Sequence, residues 1–242
     1  MELYHGTDSR IIEMTKEERW QYLNDCRKVI DALYPLFKPL LTWEKVESKA
    51  PDGRKIYIYE YPLKFRYENL LNEKGGKHMY LNLYEKLAMV ELWKNGAGLY
   101  QYKDFYVCTS KIDAMNYSRR SYAGGETGLI AYRMIKGAEI IGFENMYQNP
   151  EVKQIAERIK EFAKEGKECP AIVTIRDIDT LFLFLEDGRA IDKEDFEEWI
   201  RLRRKCRMKF RYTKPVDFSK CQIELLNEEL YKQIYEEEKE GI

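Results

Sequence analysis

Leu3-Tyr4-His5-Gly6-Thr7 stands at the start of the chain, and Phe105-Tyr106-Val107-Cys108-Thr109-Ser110 stands far downstream, leading to Asn116-Tyr117. The reading of these two stretches decides the fold. Residues 2–5 read as a short strand. A strand ending in His-Gly-Thr has a physical logic: the imidazole offers a ring nitrogen to a hydroxyl, glycine lets a ligand approach the backbone closely, and threonine adds a hydroxyl at the turn. Residues 104–108 read as a second strand, and Ser110 as the N-cap of a short helix reaching Arg119. Tyr106 on that strand and Tyr117 on that helix are eleven residues apart. Two such rings can face each other and sandwich a flat ring by stacking.

Outward from these stretches the chain reads as α+β, with strands scattered rather than alternating regularly with helices. Thr15 to Glu18 is a capping box. Trp20, Leu23, Cys26, Val29, Ile30, Leu33 and Phe37 then recur at helical spacing, and Pro35 and Pro39 end or kink that helix. Residues 55–61 alternate at period two as a strand, after a Pro51-Asp52-Gly53 turn. A loop at 73–77 precedes an amphipathic helix at 80–95, stopped by Gly96-Ala97-Gly98. Gly124-Gly125 makes a loop, Leu129 to Met134 and Glu139 to Ile141 read as strands, and 149–165 reads as a surface helix. Ala171 to Ile175 and Leu181 to Leu185 read as strands, with Glu186-Asp187-Gly188 as the following turn. Asp192 opens a helix to about Lys205. Met208, Phe210 and Tyr212 alternate with Arg207, Lys209 and Arg211 as a half-buried strand. Cys221 to Leu225 is the last strand, and 227–239 a polar terminal helix.

Composition narrows the function classes. The 242 residues carry 41 Lys and Arg against 42 Asp and Glu, a net charge of −1. At 44% apolar the chain can bury a sizeable core. No run of about 18 apolar residues occurs, so no membrane span is expected. The N-terminus has no basic patch followed by an apolar stretch, so no signal peptide is expected. The five cysteines, Cys26, Cys108, Cys169, Cys206 and Cys221, form no C-x-x-C pair, and the histidines are only His5 and His78. No metal site or disulfide scaffold is therefore expected, and a cytoplasmic chain with reduced thiols is the reading.

His5-Gly6-Thr7, Tyr106 and Tyr117, in that order and spacing, resemble the ADP-ribosyltransferase superfamily. The likeness is to its His–Tyr–Glu branch, shared with poly(ADP-ribose) polymerases and many bacterial relatives. It covers residues 3–7 and about 104–142, where Gly128-Leu129-Ile130-Ala131-Tyr132 falls at the family's next strand. The resemblance implies a single domain over 1–242 on an ADP-ribosyltransferase-like split β core, with a helical insertion at about 15–100 and a second decorating region at 143–205. It implies a mono-ADP-ribosyltransferase that takes NAD as substrate and releases nicotinamide, acting on a protein or nucleic acid inside a cell. Small relatives tend to be toxins, defence factors or modifiers of a host or phage target.

Site roles follow from the same resemblance. His5 would hydrogen-bond a ribose hydroxyl of NAD, the Gly6 backbone would grip the carboxamide, and Tyr106 and Tyr117 would flank the nicotinamide. Thr7 and Ser110 complete the expected NAD-binding set, although a helix cap is the plainer role for Ser110. Arg119 and Arg120 precede the glycine loop, where they would face the pyrophosphate or simply be solvated. The chain departs from the family's pattern at Asp104, in place of a glycine, and at Ala114, in place of a serine some members use. The family also needs a Glu near the start of a late strand, to stabilise an oxocarbenium-like state. By order that strand is 207–212, which has Arg207, Lys209 and Arg211 but no Glu. Glu168 and Glu224 are the candidates left. The alternative is a degenerate member that binds NAD, ADP-ribose or nucleic acid without catalysing.

The block 201–214 holds Arg201, Arg203, Arg204, Lys205, Arg207, Lys209, Arg211 and Lys214 with no acid, a charge of +8. Such a block can neutralise nucleic-acid phosphates. The other reading is a solvated face paired with Glu194, Asp195, Glu197 and Glu198. Phe210 and Tyr212 alternate away from the cations and are expected in the core.

Overall fold

The computed structural model describes residues 2–49, 55–65, 105–143, 147–176, 178–185, 190, 191, 193–201 and 208–240, with 86, 87, 89–91 and 94 of a further helix. In chain order the elements are β1 (Leu3–Asp8), α1 (Ser9–Glu13), α2 (Lys16–Phe37), β2 (Leu41–Lys49), β3 (Lys55–Phe65), β4 (Phe105–Cys108), α3 (Lys111–Ser118), α4 (Glu126–Ile141), α5 (Pro150–Glu165), β5 (Pro170–Ile175), β6 (Leu183–Leu185), α6 (Lys193–Arg201), β7 (Lys209–Tyr212), β8 (Gln222–Leu225) and α7 (Glu228–Glu240). Mixed helix and sheet of this kind is α+β. Two compact units divide the chain: Met1–Tyr22 with Leu99–Leu129 and Glu161–Ile242, and Leu23–Gly98 with Ile130–Lys160.

The first unit is built on a six-stranded sheet in the order β6-β7-β4-β1-β5-β8. Every neighbouring pair is antiparallel. β1 runs beside β5 for its whole length, from Leu3↔Ile175 to Asp8↔Pro170. β4 runs beside β7 from Phe105↔Tyr212 to Cys108↔Lys209. Between β1 and β4, however, a single residue pair, Tyr4↔Cys108, joins the ladder. The sheet is thus two three-stranded halves meeting along a short seam.

Period-two alternation gives each half two distinct faces. One face packs Leu3, Val107, Val173, Ile175, Phe210 and Tyr212 with Phe196 of α6. The rings of Phe196 and Phe210 meet edge to face at 5.5 Å. The other face packs Cys108 and Ile172 against Ile112, Ala114 and Met115 of α3 and Ile234 of α7. Phe210 and Tyr212 are buried, as the alternation at 208–212 predicts.

The turn after β1 is tied by Asp8 and Arg10. Asp8 is fully buried and N-caps α1, accepting from the Arg10 N–H at 3.0 Å. The Arg10 guanidinium donates to both Asp8 oxygens, at 3.0 and 2.6 Å. It also reaches Glu165 at 3.2 Å and the Tyr122 carbonyl at 3.3 Å, and lies 3.7 Å above the Phe162 ring. The end of β1, the loop before α4 and the end of α5 meet on this one side chain. Gly166 leaves room for it, because a Cβ there would collide with the Tyr122 oxygen and the guanidinium.

In the second unit, β2 and β3 form a two-stranded hairpin with register shifts at Thr42/Trp43 and Val46/Glu47. Phe37 meets Phe143 edge to face at 5.1 Å. Ion pairs join Lys28 to Glu151, Arg158 to Asp25, and Lys160 to Glu139.

Several expectations from sequence are corrected. The stretches 129–134 and 139–141 are not strands: α4 runs unbroken from Glu126 to Ile141. Ile130, Ala131, Met134, Ile135 and Ala138 are buried, which is helical spacing, and Gly142 closes the helix at φ 71°. Gly128-Leu129-Ile130-Ala131-Tyr132 is therefore its first turns and not a strand. The segment 181–185 is a 3-10 turn at Thr180–Phe182 followed by a three-residue strand. Trp20 is 49% exposed and does not share the buried stripe of α2. The helix end at 202–205, the turns at 51–53 and 186–188, the loop at 73–77, Gly96–Gly98, Asp104, His78 and Cys206 lie outside the described residues.

Candidate functional site

The seam between the sheet halves is where the expected site residues gather. His5 follows the last β1 residue that pairs with β4. Its Nδ1 lies 2.6 Å from the Tyr106 carbonyl oxygen. A carbonyl only accepts, so Nδ1 carries the proton and donates. The ring centroid lies 3.8 Å from that of Phe105, the planes tilted by 32°, and the residue is partly buried. Desolvation pushes the imidazole pKa down to about 4, against the opposing pull of the Tyr106 carbonyl. His5 is therefore neutral at pH 7, and Nε2 is left as a hydrogen-bond acceptor.

The site residues do not all point the same way. His5 lies on the face of Phe105, while Tyr106 alternates to the α3 face with Cys108. His5 meets Tyr106 through the backbone carbonyl, not ring to ring. Tyr106 is paired across the ladder with Arg211. Tyr117, near the end of α3, is 39% exposed, and the Lys209 ammonium lies 5.1 Å from its ring centroid. The strand offered as the family's Glu-bearing strand thus presents Lys209 and Arg211 to the two tyrosines.

Gly6 has a packing role that its motif did not announce. A Cβ there would collide with the Ala114 carbonyl and come within 2.6 Å of the Ser118 nitrogen. Only glycine lets α3 press this closely on β1, and that contact holds Tyr117 beside the seam. Thr7 is buried, opposite Ala171. Ser110 is buried too, and its side chain caps α3 by accepting from the Asp113 N–H at 3.4 Å.

Neither candidate Glu stands at His5. Glu168 lies in the 3-10 turn before β5, beyond the Asp8↔Pro170 end of a ladder in which His5 pairs with Val173. Three residues of strand are about 10 Å. Glu224 sits opposite Ile172, itself opposite Gly6, so two strand spacings, about 10 Å, separate it from β1. Its carboxylate pairs with Lys111 at 2.9 Å.

Cys108 is buried and held as a thiol. Burial pushes its thiol up to about 12, and the sulfur lies 3.3 Å from the Tyr4 carbonyl and 3.2 Å from that of Ser110. It fastens the one paired position of the seam. Among the described residues, Cys26, Cys108, Cys169 and Cys221 form no disulfide.

Of the basic block, Arg201 pairs with Glu198 at 3.6 Å and Lys214 with Asp179 at 3.3 Å. Arg203, Arg204, Lys205 and Arg207 lie outside the described residues. Arg119 is turned onto α7, 4.0 Å over the Tyr231 ring. Among the described residues no helix is long and apolar enough to cross a membrane, and no group of three or more His, Cys, Asp or Glu is placed to hold a metal. No family model, curated protein or solved structure matches the chain.

Proposed function

We propose that the chain is an ADP-ribosyltransferase-like protein that takes NAD at the seam and acts as a mono-ADP-ribosyltransferase in the cytoplasm. The observation that carries this reading is His5: a neutral imidazole, fixed through Nδ1 on the Tyr106 carbonyl, with Nε2 an acceptor for a ribose hydroxyl. The split between β1 and β4 and the exposed Tyr117 ring support it. From His5 onward the β4-side edge of β1 has no ladder partner on β4, which suits a Gly6 backbone that grips a carboxamide. In the reaction the glycosidic bond breaks and nicotinamide leaves with the bonding pair. A nucleophile of the acceptor forms the new bond to ribose and gives its proton to solvent.

A second reading has its own observation. Arg211 stands opposite Tyr106, and the strand Lys209–Tyr212 carries no carboxylate. That favours a binding module which holds NAD or ADP-ribose without cleaving it. Incubation with nicotinamide-labelled NAD separates the two. The transferase releases nicotinamide and His5→Ala stops the release. The binding module shows an NAD-induced rise in melting temperature with no release. Neither release nor a thermal shift would sink both.

A further inference from the structure

The end of α3 carries two cation–aromatic pairs, one on each flank. Toward β7, the Lys209 ammonium lies 5.1 Å from the Tyr117 ring centroid. Toward α7, the Arg119 guanidinium lies 4.0 Å over Tyr231, and Tyr231 is stacked at 13° on Tyr235. Tyr117, Arg119, Arg120 and Tyr235 are exposed. Tyr117 and Arg119 are two positions apart, so their side chains leave the helix end on opposite sides. Arg211 adds a further cation beside Lys209, on the α3 side of β7. Lys111, at the start of α3, is held by Glu224.

Alternating aromatic faces and cations is the chemistry that holds single-stranded nucleic acid. Bases stack on the rings whatever their sequence, and the cations meet the phosphates between them. A duplex hides its base faces and cannot use the rings. An acidic peptide can use the cations but has no flat faces to stack.

We propose that this α3 flank, from Lys209 and Tyr117 to Arg119 and Tyr235, binds single-stranded nucleic acid. As a binding surface it stands independently of the NAD reading. As the acceptor side of a transfer it rests on that reading.

The test uses the full chain and a fluorescein-labelled oligothymidylate of about 12 nucleotides, followed by anisotropy across a salt series. The single strand binds, its affinity falls as salt rises, and a duplex of the same length binds more weakly. Tyr235→Ala and Arg119→Gln each weaken binding about tenfold, the first by loss of one stacked base and the second by loss of one phosphate contact. Tyr235→Phe, which keeps the ring, binds like the wild type, and an unchanged melting temperature of Tyr235→Ala excludes a fold defect as the cause. Absent binding at low salt, a duplex bound as well as the single strand, or an unchanged affinity in both Arg119→Gln and Tyr235→Ala overturns the proposal. So does an acidic peptide that competes as well as the oligonucleotide. A parallel thermal shift of the wild type with NAD keeps the two readings apart. NAD binding without oligonucleotide binding removes this proposal alone, and the reverse removes the NAD reading alone.

Discussion

His5 shows what one position can hold. The sequence makes it one of two histidines and places it in the His-Gly-Thr motif. Its protonation state comes from what surrounds it. With the folded pKa near 4 and the unfolded value near 6.5, the unfolded chain binds a proton between these pH values that the folded chain does not. Stability therefore falls as pH drops from about 6.5 to about 4. Urea unfolding at a series of pH values should show that decline in the wild type and lack this part of it in His5→Gln. The His5 ring protons should titrate near pH 4 by NMR. A midpoint near 6.5 would mean that the ring is solvated and the seam more open than described. Gly6 next to it was legible as a special glycine, but the reason was not. The motif suggested room for a ligand, and the fold adds room for the Ala114 carbonyl of α3.

At the scale of elements, local chemistry was the readable part. The capping box forms, with the Thr15 N–H donating to Glu18 at 2.8 Å and the Glu18 N–H to Thr15 at 3.2 Å. Ser110 caps α3 as expected. Residues 129–134 read as a strand because Leu129-Ile130-Ala131 is a short apolar run, and such a run fits a strand or a buried helix equally well. The longer spacing through Ala138 is what distinguishes them. The Asp8–Arg10 contact was invisible in sequence, since its other partners, Tyr122, Phe162 and Glu165, lie far along the chain. It joins three elements around a buried carboxylate. Arg10→Met strands Asp8 without its counter-charge and should cost about 3–5 kcal/mol, measured by denaturant unfolding. A loss under about 1 kcal/mol would mean that the cluster is peripheral to stability.

At the scale of the whole molecule, the division of the sheet is the feature with functional weight. Each half has full ladders, and the halves share one residue pair. Amide hydrogens exchange through local opening, and a join with few hydrogen bonds opens first. Backbone amides along the β1–β4 join should therefore exchange faster than those buried within the β1–β5 and β4–β7 ladders, by hydrogen exchange followed with mass spectrometry or NMR. Equal protection across the sheet would show that the seam is as firm as the ladders. A total charge of −1 conveys none of this. The cations of 209–211 face the tyrosines of the seam, and the arginine at 201 and lysine at 214 face acids of their own surroundings.

By itself the sequence determined the local pieces: where helices start, which residues of 208–212 turn inward, and which five residues at the N-terminus form a motif. These depend on neighbours a few positions away, and on the periods of 3.6 and 2. The tertiary structure alone decided that β1 lies between β4 and β5, and that it leaves β4 after one pair. It also decided that burial lowers the His5 pKa, so that the ring stays neutral well below pH 6.5, and that Arg211, not a carboxylate, stands beside Tyr106. Register, burial and charge environment are made by pairs of residues far apart in the chain, and no local pattern records which distant strand becomes a neighbour.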